Sequence, residues 1–396
     1  MSEAARQHLE AIFRAGVEAC LPERVLAPHL PPPPAGRTLL LALGKAAVPM
    51  ARRVEEDWDG PLSGLAVTRH GAAEPLSRIE VMTAGHPVPD EASVAAAERL
   101  LALAESAEPD DLVLVLLSGG ASALASLPGE GLSLGDKRRV TTALLRSGAA
   151  ISEINCVRRH LSRFKGGRLA EAARPARLLT LAISDVVGDR PEDIGSGPTL
   201  ADPTSIGEAR SILRRYGIEE PVRGWSESVK EVAGDYRIVA SGRDAVDAAA
   251  ARAAELGYRP RMIGYDCTGE ARHVAQEHAR LALAAPAGTA LISGGELTVT
   301  IRGEGTGGPN QEYALSLASA MEGKDFTALA ADTDGIDGSG DAAGAFADGA
   351  TLSGGGAEEA LANNDSGRFF AERDALFVTG PTGTNVNDLR IILVGS

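Results

Sequence analysis

Apolar residues fall along this chain in two rhythms, short unbroken runs and longer stretches with helical spacing. The runs at 38–43, 112–117 and 178–183 have the pattern of strands buried on both faces of a parallel sheet. Weaker strand signals stand at 64–68 and 81–83. Residues 91–105 combine good helix formers with an apolar stripe, and another helix opens at Gly44-Lys45-Ala46-Ala47 and runs on through Arg53 and Glu56. Residues 133–173 read as helical, with a glycine break at Gly166-Gly167. At the start, Leu9, Ile12, Phe13 and Val17 line one side of a helix whose other side is charged, which is not the pattern of a signal peptide. Pro31-Pro32-Pro33-Pro34 then forms a stiff extended spacer.

After a polar, irregular stretch from about 216 to 235, the rhythm resumes. Strands are expected at 237–240, 261–264, 290–292, 326–331, 375–379 and 391–394. Helices are expected at 244–256, at 270–284 and from near Asn310. Strands alternating with helices indicate an α/β fold built on a doubly wound sheet. The chain has 396 residues, more than one core usually serves, so two α/β domains are expected, at 1–235 and 236–396. Ligands of such sheets bind beyond the carboxyl ends of the strands.

Composition removes several function classes. A net charge of −15 opposes binding to nucleic acid. No run of about 18 apolar residues occurs, so no membrane span is expected. Cys20, Cys156 and Cys267 lie far apart and read as reduced thiols of a cytoplasmic protein. The expected partner is a small molecule, with a homodimer left open.

The chemistry concentrates in loops at strand ends. Gly44-Lys45 lacks the rest of a Walker A loop, no G-x-G-x-x-G follows an expected strand, and the acidic stretch from Asp332 lacks the oxygen ligands of a calcium loop at Ile336 and Ala343. Ser118-Gly119-Gly120-Ala121-Ser122 offers consecutive backbone N–H groups to a phosphate, or else is a tight strand-to-helix turn. Only five lysines stand against 34 arginines, so Lys45 at such a turn suggests a compact charge held for a phosphoryl group in flight. Lys165-Gly166-Gly167-Arg168 is either a phosphate cradle or a basic helix junction. The acids Asp185 with Asp189, Glu296, Asp334 with Asp337, and Asp388 beside Asn385 and Asn387 can serve a magnesium ion or act as a general base. Asn310, in Gly307-Gly308-Pro309-Asn310-Gln311-Glu312, is an N-cap or a buried binding group.

Taken together and in order, these loops resemble the glycerate 2-kinases of the MOFRL type. The resemblance rests on Gly44-Lys45-Ala46-Ala47, Ser118 through Leu124, Lys165 through Ala170 and Ser184-Asp185-Val186-Val187-Gly188-Asp189. It continues through Gly195-Ser196-Gly197-Pro198-Thr199, Ser293-Gly294-Gly295-Glu296, Gly308 through Glu312, Thr333 through Gly338 and Thr382 through Leu389. It implies ATP- and Mg2+-dependent phosphorylation of D-glycerate to 2-phosphoglycerate. It further implies a Rossmann-like N-terminal domain and an active site in the cleft between two α/β domains. The family lysine falls on Lys45, at the transferred phosphoryl group. Several relatives carry Arg where this chain has Pro309.

The expected assignments follow. Ser118, Gly119, Gly120, Ala121, Ser122, Lys165, Gly166, Gly167 and Asn385 bind nucleotide, and Ser293, Gly294 and Asn310 bind the hydroxy acid. Asp189 or Glu312 orients or deprotonates the substrate hydroxyl beside Lys45, and Glu296 or Asp334 reaches magnesium. The alternative is an NAD(P)-dependent hydroxypyruvate reductase, against which the absent dinucleotide fingerprint speaks.

Overall fold

The structure is a computed structural model that describes residues 1–395. The chain forms two compact units, one of Val25–Val239 and one of Met1–Arg24 together with Ala240 onward.

In the first unit, β1 (Thr38–Leu43), β2 (Leu62–Arg69), β3 (Ile79–Ala84), β4 (Leu112–Leu117), β5 (Arg177–Ile183) and β6 (Asp235–Ala240) form one sheet in the order β3-β2-β1-β4-β5-β6. The pairings β2–β3, β1–β2, β1–β4 and β4–β5 are parallel. Every residue of β1 and β4 is buried, as their unbroken apolar runs require. Leu39, Leu41 and Leu43 of β1 and Val113, Val115 and Leu117 of β4 pack with Ala96, Ala97 and Leu100 of the helix Glu91–Glu105. That helix starts where it does because Asp90 and Ser93 cap each other: Asp90 Oδ1 accepts the Ser93 N–H at 3.0 Å, and Ser93 Oγ accepts the Asp90 N–H at 3.0 Å. The helices Leu134–Arg146, Ile151–His160 and Ile206–Arg215 share a separate cluster of Val140, Leu144, Ile154, Val157, Ile212 and Leu213.

This strand order has a consequence for ligands. The chain leaves β1 toward β2 on one side and leaves β4 toward β5 on the other, so the connections diverge between β1 and β4. In open α/β sheets that divergence opens the crevice where ligands bind.

The second unit departs from the expected repetition. Its sheet has the order β13-β12-β11-β14-β9-β7, from β7 (Arg259–Gly264), β9 (Thr289–Ser293), β11 (Phe326–Asp332), β12 (Gly344–Asp348), β13 (Leu376–Phe377) and β14 (Asp388–Val394). A two-stranded ribbon joins β8 (Gly269–Glu270) to β10 (Leu297–Thr298). The ribbon is parallel, and in the six-stranded sheet β7–β9 alone is parallel, while β9, β14, β11, β12 and β13 pair antiparallel in succession.

One face of this sheet, with Ala290, Ile292, Leu329 and Ile391, is covered by the helix Gly242–Glu255 and by Leu9, Ile12, Phe13 and Val17 of the helix Glu3–Ala19. The other face, with Leu291, Ala328 and Ile392, is covered by the helices Ala271–Leu283 and Pro309–Ala320. The alternation follows from the two-residue period of a strand.

The units therefore differ from domains at 1–235 and 236–396 in two respects. The first helix packs with the later unit because its apolar stripe is completed there. The strand expected to open the second domain is the edge strand β6 of the first sheet, held by Tyr236 and Ile238 against the first core. No helix among the described residues is long and apolar enough to cross a membrane.

Candidate active site

At the divergence point of the first sheet, the turns after β1 and β4 grip each other. The Lys45 N–H donates to Gly119 O at 2.8 Å, and the Ala46 N–H donates to Ser118 Oγ at 3.0 Å. Gly44, at φ +137°, fits so closely that a Cβ there would lie 2.1 Å from Ser118 Oγ. Ser118, expected to bind nucleotide, is fully buried, and its hydroxyl holds the β1 turn.

Gly120, at φ +83°, turns the chain into the short helix Ala121–Leu124. A side chain at 120 would come within 2.9 Å of His86 Cδ2 and 3.4 Å of Lys45 Cγ, so only glycine leaves room for those two side chains. The N–H groups of Gly119, Gly120 and Ser122 find no acceptor in the chain among the described residues. Half-buried Lys45 therefore lies beside a cluster of undirected backbone donors.

After β5, Asp189 is held at φ +50°, with its N–H on Val186 O at 2.9 Å. Its half-buried carboxylate accepts no hydrogen bond and makes no ion pair among the described residues.

The Lys165-Gly166-Gly167 turn directs its backbone donors into the chain. The Gly166 and Gly167 N–H groups donate to Ser196 O and Gly197 O at 3.3 and 2.9 Å. The Lys165 ammonium, buried in the chain, donates to Ser122 O at 2.8 Å, Ala125 O at 3.2 Å and Gly195 O at 3.4 Å. It fastens the back of the 118–125 segment. Burial above all, with Lys137 and Arg158 adding repulsion, holds its pKa well below that of an ordinary lysine.

The second unit gathers its polar residues around Arg390, which is 1% exposed. Arg390 donates to Gly294 O at 2.6 Å, Gly295 O at 2.9 Å, Asp388 Oδ2 at 3.0 Å and Ser293 Oγ at 3.4 Å. It thereby fixes the loop that carries Glu296. Asp388 Oδ1 accepts from Asn310 Nδ2 at 2.7 Å, and burial raises the Asp388 pKa against the pull of Arg390. Asp337 accepts the N–H groups of Asn310 and Gln311 at 3.0 and 2.9 Å. It caps the helix Pro309–Ala320, whose own N-cap, Gly308, has no side chain to do so. Burial, with Asp388 adding repulsion, pushes Asp337 up to about 7.

Ser293, Gly294 and Asn310, expected to bind substrate, are all members of this internal network; Asn310 Oδ1 alone stays buried without a partner. Asn385 is also internal, buried and accepting the Asn387 N–H at 3.2 Å. Pro309 occupies the first turn of its helix, where a missing N–H costs nothing.

Glu312, expected beside the substrate hydroxyl, is held by partners within the chain. It is 2% exposed, with one oxygen on Arg272 Nε at 2.6 Å and the other on Asn364 Nδ2 at 2.9 Å, so its carboxylate is committed to pinning elements together. Glu296 is exposed, and half-buried Asp334 accepts the Ile336 N–H at 2.9 Å. Among the described residues no three His, Cys, Asp or Glu side chains form a metal cage.

Arg390 was not foreseen, although a lone arginine in the apolar run from Leu389 to Val394 is a readable signal. Lys137 was passed over too, although it is one of the same five lysines.

Known proteins share this arrangement along its length. A family model described as a domain of unknown function, DUF4147, matches residues 8–234, and the MOFRL family model matches residues 289–388. A protein of Agrobacterium vitis that carries a hydroxypyruvate reductase name is 47% identical over 416 residues, covering 99% of this chain and 95% of its own length. The D-glycerate 2-kinase of Thermotoga maritima is 41% identical over 410 residues, covering 97% of both chains. A crystal structure of glycerate kinase from Thermotoga maritima superposes with a TM-score of 0.90 at 38% identity, covering 99% of this chain and 100% of that one. With its two matched domains in this order and its full-length likeness to these proteins, the chain belongs to the MOFRL-type glycerate 2-kinase family.

Proposed function

We propose that this chain transfers the γ-phosphoryl group of ATP to a hydroxyl of D-glycerate in the cytoplasm, giving 2-phosphoglycerate and ADP. The observation that carries the reading is the corner at the β1–β4 divergence, where Lys45 stands beside the undirected N–H groups of Gly119, Gly120 and Ser122. Backbone donors that need no rearrangement suit phosphate oxygens, and an ammonium suits the charge that develops on the phosphoryl group.

In the proposed step the substrate oxygen bonds to the γ-phosphorus as the bridging bond to the β-phosphate breaks. The hydroxyl proton passes to Asp189, whose carboxylate has no partner among the described residues. Glu312 is withdrawn from that role by its ion pair. Glu296 and Asp334 are proposed to hold a magnesium ion, which needs only one or two carboxylates beside phosphate oxygens and waters; among the described residues no cluster of three ligating side chains stands ready for it. When bound, the ion neutralises charge on the transferring phosphates.

The test is ADP release measured across D-glycerate, L-glycerate, tartronate and gluconate, with the product's phosphate position read by NMR. ADP release with D-glycerate and a 2-phosphoester product support the reading. No release with any acid overturns it, as does NADH consumption with hydroxypyruvate.

A further inference from the structure

One cavity within the Val25–Val239 unit has a wall whose charge the chain does not balance. It measures about 110 Å3 and lies between the turn Pro87-Val88-Pro89, the helix Leu134–Arg146 and the segment bearing Arg158 and Lys165. Four cations line it: Lys137, Arg138, Arg158 and Lys165. In a chain with 54 acidic residues, none of these four is in an ion pair among the described residues.

Lys165 has a structural occupation in its three carbonyls, and Arg138 reaches Pro89 O. The other two cations have almost none. Lys137 is 5% exposed and makes a single bond of 3.4 Å, to Leu127 O. Arg158 donates to nothing among the described residues. The hydroxyl of Ser126, 2% exposed, also has no partner. Buried charge left uncompensated is costly, and a concave wall of one sign concentrates the opposite ion. Burial first, then Arg158 and Arg168, pushes Lys137 down to about 7.

We propose that this cavity is an oxyanion site that takes the carboxylate or phosphoryl end of a small ligand, with Lys137 and Arg158 as its principal donors. A water needs roughly 10–15 Å3 of such space, so the cavity holds several waters, or one oxyanion with a few carbons, while a nucleoside stays outside. Ser122 belongs both to this wall and to the donor cluster beside Lys45, so the two sites adjoin within the unit.

The inference stands apart from the kinase reading because binding is measured without turnover. Calorimetric titrations of the full chain at fixed ionic strength use inorganic phosphate, tripolyphosphate and D-glycerate as probes. Saturable binding of at least one is expected, weakened about tenfold or more in Arg158→Gln, the effect of losing one charged hydrogen bond. Binding of D-glycerate identifies a carboxylate as the guest; binding of the phosphates alone identifies a phosphoryl group. Lys137→Met should weaken the same probe and raise the melting temperature, since an unpaired buried charge is removed. The proposal is overturned if no probe binds the natural chain, or if Arg158→Gln and Lys137→Met bind as tightly as it does. A lowered melting temperature with unchanged binding in Lys137→Met would mark that lysine as structural and overturn it equally.

Discussion

Two side chains in this protein can be separated by what they touch. Lys45 makes its backbone bond to Gly119, and its Cγ lies 3.4 Å from where a Cβ at Gly120 would stand. Lys45→Ala should lower kcat with D-glycerate by about 10²–10³-fold or more, the scale of losing one charge-stabilising donor. The variant should still fold, and near-normal turnover would remove Lys45 from the mechanism.

Asp337 works the opposite way. Its carboxyl titrates at about 7 in the folded chain and near 4 when unfolded, so between those values the folded state binds more protons. Its contribution to stability therefore falls as pH rises from 4 to 7 and is flat above that. Chemical denaturation from pH 5 to 8 should show a decline that Asp337→Asn flattens, by a slope difference of up to about 1.4 kcal/mol per pH unit. An identical slope in both proteins would refute the assignment. Neither behaviour is visible in sequence: a loop aspartate three residues from another reads equally as a turn former or as a ligand.

At the scale of elements, Glu312 is a clamp. It ties the helix Pro309–Ala320 to Arg272 of the helix Ala271–Leu283 and to Asn364. Glu312→Gln leaves Arg272 without its counter-charge and should cost on the order of 3 kcal/mol in urea unfolding. Turnover per folded molecule should persist; its collapse in a fully folded variant would return Glu312 to the catalytic list.

The first sheet was legible because Leu39 to Leu43 and Leu112 to Leu117 are apolar at every position, a pattern that few other structures produce. The second sheet was legible only in part. β12, Gly-Ala-Phe-Ala-Asp, has one residue of strong strand preference and gave no signal. Strand direction was equally hidden, because pairing partners such as Leu329 and Ile391 stand far apart in the chain and local periodicity does not carry orientation. The site was legible where glycines mark a corner, at Gly44 and Gly119-Gly120. It was illegible where roles depend on who completes a hydrogen bond, as for Ser118, Lys165 and Asn310.

For the whole molecule, the helix Glu3–Ala19 is the telling element, since it completes a core built mainly of residues beyond 240. Leu9, Ile12, Phe13 and Val17 each contribute about 1.5–3 kcal/mol by burial. Their sum rivals the net stability of a typical domain, about 5–15 kcal/mol. A chain beginning at Val25 should therefore lose protection against hydrogen exchange throughout the later unit, while Val25–Val239 keeps its own. Equal loss in both units, or none in either, would contradict the division described above.

The same helix sets a waiting time during synthesis. Its apolar stripe leaves the ribosome long before the strand that it covers, Asp388–Val394, is made. At typical elongation rates the interval is on the order of 20 to 70 seconds. Throughout it, a sticky amphipathic segment waits without its partner strand, open to chaperones or to the wrong polypeptide.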